Sequence, residues 1–395
     1  MKILGIDTAG HVTAVALFDS AIEGHVIFNE TKRHDVRKVW AELPFVLPGY
    51  HSSALRDLME TVEAEYRDFL NEADICAVSA YSGIRSCIKI GLDHYDKEIR
   101  KKWPNMKLTY VDHQVGHLFS SFIGRSSNLS FPSLFFTSSA CHMAMVYIET
   151  KNKYSVIIDD TPKIKLRGTD VFCGLGQIYN MSMEKILHLN DNNACGNDYA
   201  VFEALVSAGS PAYVEEILSK CKIALSTFDF YGLFKIVCSI MAVKEKKINA
   251  EDMARSFNEC FGRLFVERVQ KLLAEYPCRE FHLCGGLSDN KFIVEELKKM
   301  ADIAVVIPLK EFRFDNAAMI ANAVFVSHVL DIDIELEHNV FESGRIKYLI
   351  RRMRKKAKSI LIKIQKRILV RIMRRFVKKT ASAVRDSRYN FFRRK

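Results

Sequence analysis

The sequence predicts an α/β protein of two duplicated lobes with a cleft between them, followed by a basic C-terminal helical tail. Three observations lead there: a strand–turn–strand pattern that recurs at an offset of 131 residues, helix–strand alternation after each copy, and a change in the sign of the charge near residue 344.

The first thirty residues read as three short strands, ILGID, TAVALFD and HVIFNE, with Gly10 and Gly24 at the turns. A helical pattern (SALRDLMETVEAEYRDFL), a strand (ICAVSAY), a helix (LDHYDKEIRKKW) and a strand (KLTYV) follow. The meander returns from Leu134 as LFFTS, AMVYIE and YSVIID. Laid over each other, TAGHVTAVAL and SSACHMAMVY agree in kind, with Ala9 on Ala140 and His11 on His142. The second copy continues into a long amphipathic helix (AEDMARSFNECFGRLFVERVQKLLAEY), a strand (FHLCGG), a helix (KFIVEELKKM), a strand (IAVVIP) and a last helix (NAAMIANAVFVSHVL). Three meandering strands followed by alternation, done twice, describe two mixed α/β lobes. We assign them to residues 1–127 and 128–335, and the tail to residues 336–395.

A chain of 395 residues, 49% hydrophobic and 27% charged, has the composition of a soluble globular protein with room for two lobes. Its ten cysteines form no CxxC pair, which points to free core thiols rather than a zinc ribbon or a disulfide framework. Met1 leads straight into a strand, leaving no room for a signal peptide, and no uncharged apolar run approaches the roughly 18 residues that span a bilayer. These features predict a cytoplasmic protein. The net charge of +11 hides two objects. Residues 344–395 carry 21 Lys or Arg against one acid, Asp386, while residues 1–343 carry 37 bases against 46 acids. In the tail, Leu349, Ile350, Met353, Ala357, Ile360, Leu361, Ile364, Ile368, Ile372, Met373 and Phe376 form one apolar helical stripe among the bases. A basic amphipathic helix suits the protein's own acidic body, an anionic membrane surface that would hold the protein peripherally, or tRNA.

The stretch DHQVGH puts His113 and His117 four residues apart just past a strand. On a helix, residues at that spacing point the same way. The residues alone leave two readings: a pair of solvated histidines, or part of a metal site that needs a further ligand from elsewhere.

Five segments in order resemble the tRNA threonylcarbamoyladenosine transferases, over roughly residues 1–330. GIDTAG, with Asp7, resembles the family's opening GIDTS turn, and His113 and His117 resemble its HxxxH. FDNAAMIA, with Asp315, resembles TDNxAMIA; the loop Gly285-Gly286-Leu287-Ser288-Asp289-Asn290 resembles GGVxANxxLR; and residues Phe228 to Lys235 resemble FSFSGLKT. The duplicated lobes are similar to the ribonuclease-H-like lobes of actin, hexokinase and Hsp70, in which the turns of the two meanders hold a nucleotide in the cleft. The resemblance implies one divalent metal on His113, His117 and Asp315, with iron foremost and zinc or magnesium as alternatives, and no catalytic side chain beyond that metal site. It implies a donor, threonylcarbamoyl-adenylate, contacted by Asp7, Thr137, Ser138, Ser139, Ala140, Cys141, Asn180, Gly285, Gly286 and Asn290. The turn at Thr137–Cys141 and the loop at Gly285–Asn290 are expected to face each other across the lobes. The acceptor would be the adenosine of tRNA next to the anticodon, and a separate adenylate-forming partner enzyme would supply the donor.

The chain also departs from the family pattern. SGGHT reads Ser139-Ala140-Cys141-His142-Met143, so two glycines have gained a Cβ that narrows the loop. DDAxGEAFDK is matched from Val171 to Asn180, with Asn180 for the final aspartate and Gln177 nearby, and PGGP is echoed only by Cys195-Gly196-Asn197-Asp198. Two alternatives therefore stand beside tRNA modification. One is an O-carbamoyltransferase acting on a glycan or natural-product hydroxyl through carbamoyl-adenylate. The other is a catalytically inactive relative that retains nucleotide and metal binding.

Overall fold

The computed structural model describes residues 1–10, 12–22, 24–34, 43–81, 85–125, 130–138, 143–158, 163–166, 169–172, 174–190, 199–221, 230–244, 247–300, 302–331, 334 and 336. Ser139, Ala140 and Cys141, and the tail from residue 337, lie outside the described residues. All of the described residues belong to one compact unit, Met1–Val340.

The first lobe opens with β1 (Lys2–Asp7), β2 (Val12–Asp19) and β3 (Val26–Arg33). It continues through α1 (Leu43–Glu65), α2 (Arg67–Glu72), β4 (Ile75–Ala80), α3 (Arg85–His94), α4 (Arg100–Lys102), β5 (Lys107–Asp112) and α5 (His113–Phe119). Its five strands run in the order β3–β2–β1–β4–β5, antiparallel through β3, β2 and β1 and parallel through β1, β4 and β5.

The second lobe begins with β6 (Ser133–Ser138), β7 (Met143–Thr150) and β8 (Lys153–Ile158), followed by the hairpin β9 (Lys163–Leu166) and β10 (Thr169–Phe172). The helices α6 (Leu175–Asn190), α7 (Tyr199–Ala208), α8 (Val214–Lys220), α9 (Tyr231–Lys244) and α10 (Ala250–Glu275) come next. Then β11 (Glu280–Cys284), α11 (Lys291–Lys298), β12 (Ala304–Val306) and α12 (Ala317–Leu330) complete it in sequence. The sheet order is β8–β7–β6–β11–β12, the order of the first sheet repeated with the same strand directions. The 131-residue offset carries β1 onto β6 and β2 onto β7, residue for residue. The duplication legible in the sequence is thus a duplication of the fold.

β2, β4 and β6 are buried along their whole length and β1 from Ile3 onward, because helices cover both faces of each sheet. Such strands read as continuous apolar runs rather than alternating ones. Two helices cross between the halves of the chain: α5 packs on the second sheet, where Val115 and Leu118 share a core with Phe135 and Val146. α12 follows β12 in sequence but packs on the first sheet, where Ala317, Ala318 and Ala321 join Ala14, Ala16 and Ala77 in one core. Gly5 makes this possible: a Cβ there would lie 2.4 Å from the Ala317 carbonyl oxygen, so only hydrogen fits between β1 and the start of α12. Among the described residues, no helix is long and apolar enough to cross a membrane. The seven described cysteines are all free thiols.

Candidate metal centre

Asp112 ends β5 and caps α5, its carboxylate accepting the Gln114 amide at 2.7 Å. The cap fixes where the helix starts, so His113 opens it and His117 follows one turn later on the same side. Both imidazoles are buried, their centroids 4.7 Å apart and their planes perpendicular. Asp315 reaches them from the loop before α12. Asn316 caps that helix by accepting the Met319 amide at 3.0 Å, and its amide group donates to the Phe314 carbonyl at 2.7 Å, which pins the backbone on both sides of Asp315. Oδ1 of Asp315 lies 3.0 Å from Nε2 of His117 and 3.5 Å from Nε2 of His113. Across the set of three residues, one ligand atom from each lies within 4.8 Å of the others. Gly10 closes the side of this corner, the site of its missing Cβ being 3.0 Å from Oδ2 of Asp315.

Asp7 belongs to the same corner. Its Oδ1 accepts the Ala9 amide at 3.0 Å, and its two oxygens lie 3.3 and 3.2 Å from Nδ1 of His113. Nδ1–H of His113 therefore donates to Asp7 and leaves Nε2 turned toward Asp315, the arrangement in which a carboxylate fixes the tautomer of a metal-binding imidazole. Burial by itself would lower the pKa of His113, but Asp7 and Asp315 outweigh it and hold the ring well above its usual range. Burial by itself would raise Asp315, but His113 and His117 outweigh it and hold this carboxyl well below its usual range. His113 thus holds a proton against Asp7 and Asp315 that a cation at this corner would release. Nδ1 of His117 is buried without a hydrogen-bond partner among the described residues. Two nitrogens and an oxygen converging from one side match the donor set of a divalent ion with open positions for substrate, and the residues present fit such an ion.

The residues expected at a nucleotide are arranged differently from the expectation. Thr137 and Ser138 end β6, Gly285 follows β11, and Cys284 pairs with Thr137 in parallel register. Thr137 and Ser138 are therefore neighbours of Gly285 at one end of the second sheet and do not face it across the lobes. Adjacent parallel strands must end at the same edge, and the pairing of β6 with β11 was not visible in either segment alone. Gly285 adopts φ +74°, and a Cβ there would stand 2.9 Å from Oγ1 of Thr137 and 3.2 Å from the Ser138 carbonyl. Thr137 Oγ1 is buried with no partner among the described residues, while the Ser138 hydroxyl accepts the Leu175 amide at the start of α6. Asn180 lies half-buried in the second turn of α6, and Gly286 sits beside the ring of Phe314.

Asn290 has another occupation. It is buried and caps α11 by accepting the Ile293 amide at 3.0 Å. Its amide hydrogens go to Oδ1 of Asn258 at 2.8 Å and the hydroxyl of Tyr179 at 3.3 Å, so no donor remains for a ligand. The caps Asp112 and Asn316 carry a local signal, an Asp or Asn directly before the helix each one starts.

Residues 42–322, well over half of the 395, match the family model described as tRNA N6-adenosine threonylcarbamoyltransferase. The chain belongs to that family. Membership in the threonylcarbamoyltransferase family makes it a transferase, and the match takes in His113, His117, Asp315 and both loops of the second sheet. The curated tRNA N6-adenosine threonylcarbamoyltransferase of Carboxydothermus hydrogenoformans is 25% identical over 86% of this chain and 96% of its own length. That of Thermosipho melanesiensis is 26% identical over 82% and 94%. Among solved structures, a ROK family glucokinase from Streptomyces griseus aligns with TM-score 0.45 at 10% identity, over 82% of this chain and 99% of its own. The activator of 2-hydroxyisocaproyl-CoA dehydratase from Clostridium difficile aligns with TM-score 0.46 at 13% identity, over 85% and 100%.

Proposed function

We propose that the protein transfers a threonylcarbamoyl group from threonylcarbamoyl-adenylate to the adenosine of tRNA next to the anticodon, with a divalent cation on His113, His117 and Asp315. The convergence of two Nε2 atoms on one carboxylate, 198 residues beyond His117 in sequence, with Asp7 holding the His113 ring, is the observation that carries this reading. A cation bound there supplies Lewis acidity toward the phosphate or carbamoyl oxygen of the donor. His113 and His117 orient it, and Asp7 keeps His113 in the tautomer that exposes Nε2. The main chain at Gly285 and Gly286, the open hydroxyl of Thr137 and the amide of Asn180 serve the nucleotide half of the donor. In the reaction the exocyclic amine of the acceptor bonds to the carbamoyl carbon, the bond from that carbon to the phosphate oxygen breaks, AMP leaves and the amine gives up a proton. Two imidazoles and one carboxylate favour iron, with zinc and magnesium as the other candidates.

The test combines the purified full chain, an adenylate-forming enzyme, ATP, bicarbonate, labelled threonine and tRNA. Label should enter one tRNA nucleoside, and His117→Ala should lose both the transfer and about one equivalent of metal, since removing one of three protein ligands leaves too few to hold it. Label-free tRNA together with carbamoylation of a glycan hydroxyl, when carbamoyl-adenylate and the glycan are supplied in place of threonine and tRNA, would replace this reading with the O-carbamoyl one. No transfer to either acceptor, with metal retained by the parent, would identify an inactive relative.

We further propose that residues 344–395 hold an otherwise cytoplasmic body at an anionic membrane surface, because each base near such a surface contributes about 1 kcal/mol. The tail should carry sedimentation with anionic vesicles, and its deletion should abolish it. Binding of tRNA lost on deletion, without any vesicle binding by the parent, would assign the tail to RNA instead. Aggregation of the shortened protein would assign it to the protein's own surface.

A further inference from the structure

Phe314 is the only phenylalanine among the large hydrophobic side chains exposed in the described residues, with 44% of its surface open. The tyrosines in that set keep a hydroxyl in water, whereas a bare phenyl ring gains nothing there. Its position is nevertheless tightly held. The Phe314 carbonyl accepts from Asn316 at 2.7 Å, and the ring edge lies 3.4 Å from where a Gly286 Cβ would be. It directly precedes Asp315, so its Cα is about 3.8 Å from that of a metal-site residue. On its other flank stands Arg33, the exposed last residue of β3, whose guanidinium carbon is 5.7 Å from the ring centroid. Among the described residues no carboxylate pairs with Arg33.

We infer that Phe314 and Arg33 seat the acceptor, the ring stacking on the extruded adenine and the guanidinium taking a neighbouring RNA phosphate. This rests on the proposed acceptor being an RNA adenosine. A base must leave its stack to meet a donor held beside Asp315, and an open aromatic face offers replacement stacking at that point. An unpaired guanidinium beside the ring supplies the fork for phosphate oxygens. The donor's nucleotide lies toward Thr137, Gly285 and Gly286 on the second sheet under the same reading, so the ring borders the donor at Gly286. Arg33, by contrast, comes from an edge strand of the first sheet and is exposed.

The experiment titrates the full chain with two fluorescent anticodon hairpins, one carrying the adenosine and one with an abasic site in its place. Both present the same phosphates, so the charge of the basic tail contributes equally, and the affinity ratio reads the base alone. The parent should prefer the adenosine hairpin by about 10-fold, the scale of one stacked base. Phe314→Leu should bring the ratio to near one, Phe314→Trp should restore it, and AMP affinity and metal content should match the parent in both. Arg33→Gln should weaken both hairpins and reduce the salt slope by about one. A Phe314→Leu ratio equal to the parent's, or a loss of AMP affinity with the ratio intact, overturns the assignment; the second result moves the ring to the donor. A parent with no preference also overturns it, while the transfer assay reports separately whether tRNA is the acceptor.

Discussion

The first sheet presses Ala14, Ala16 and Ala77 against α12, with Gly5 beneath its first turn, whereas the second presses Phe136 and Phe281 into a core shared with Phe257, Phe261 and Phe265 of α10. Strand order and direction are the same in both, so the difference lies in filling. Small residues bring a helix backbone against a strand backbone, and the contact between them fixes position to a fraction of an ångström. Large rings bury far more apolar surface and hold the fold together, but they can shift rotamers to absorb a change. The small-residue contact of the first sheet therefore places Asp315 at the metal corner, and the aromatic core of the second sheet is the larger contributor to stability.

Truncation in the aromatic core should give the largest change. Phe261, fully buried beside Tyr179, Phe230 and Phe257, should cost about 3–5 kcal/mol as Phe261→Ala in denaturant unfolding, with metal content unchanged. Metal lost from a still-folded Phe261→Ala protein would break the contrast. Gly5→Ala should cost less stability, about 1–3 kcal/mol, yet lose the metal, because the new methyl must push the Ala317 carbonyl and with it the loop that carries Asp315. A Gly5→Ala protein with full metal content would show that placement does not depend on this contact.

Asp7 sharpens the comparison at one side chain. Asp7→Asn keeps an acceptor for the Ala9 amide but removes the charge beside His113, and metal affinity should fall about 10–100-fold, read by competition with a chelator. AMP affinity should not change. The reverse outcome would return Asp7 to the nucleotide role that its sequence motif suggested.

The smallest effect belongs to the second sheet. His282 of β11 stacks on Phe135 at 4.1 Å, accepts from the Ser121 hydroxyl on Nδ1 at 2.9 Å and donates from Nε2 to Glu280 at 3.1 Å. Burial lowers its pKa more strongly than Glu280 raises it. Below the usual value of 6.5 the unfolded chain takes up a proton that the folded ring resists, so stability falls with pH in the window beneath 6.5. The fall is at most about 1.4 kcal/mol per pH unit from this one group. Glu280 is held below its usual 4.5, so its own contribution is lost only at lower pH. The stability gap between parent and His282→Gln should narrow from pH 7 to pH 5; a constant gap would mean that the ring titrates alike in the folded and unfolded chain, and a widening gap that Glu280 outweighs burial.

Much of this protein was determined by local sequence. The apolar strand runs, the 131-residue repeat and the long helix α10 are written in periodicities that act within one element, and the structure reproduces them. The pairing of His113 with His117 is local too, because one helical turn settles which way both point. The helices α7 and α9 are apolar on most sides and carry no clean amphipathic period to read. Tertiary structure alone decided the roles that depend on distant partners. Asp7 became the orienting group of His113, 106 residues on. Asn290 became a cap tied to Asn258 and Tyr179, and the loops at Ser138 and Gly285 became neighbours through the pairing of β6 with β11. Asp315 reached the histidines because α12 left its neighbours in sequence to pack on Gly5. A periodicity reports what a residue's own element does, but a contact between elements is chosen by the packing of the whole chain.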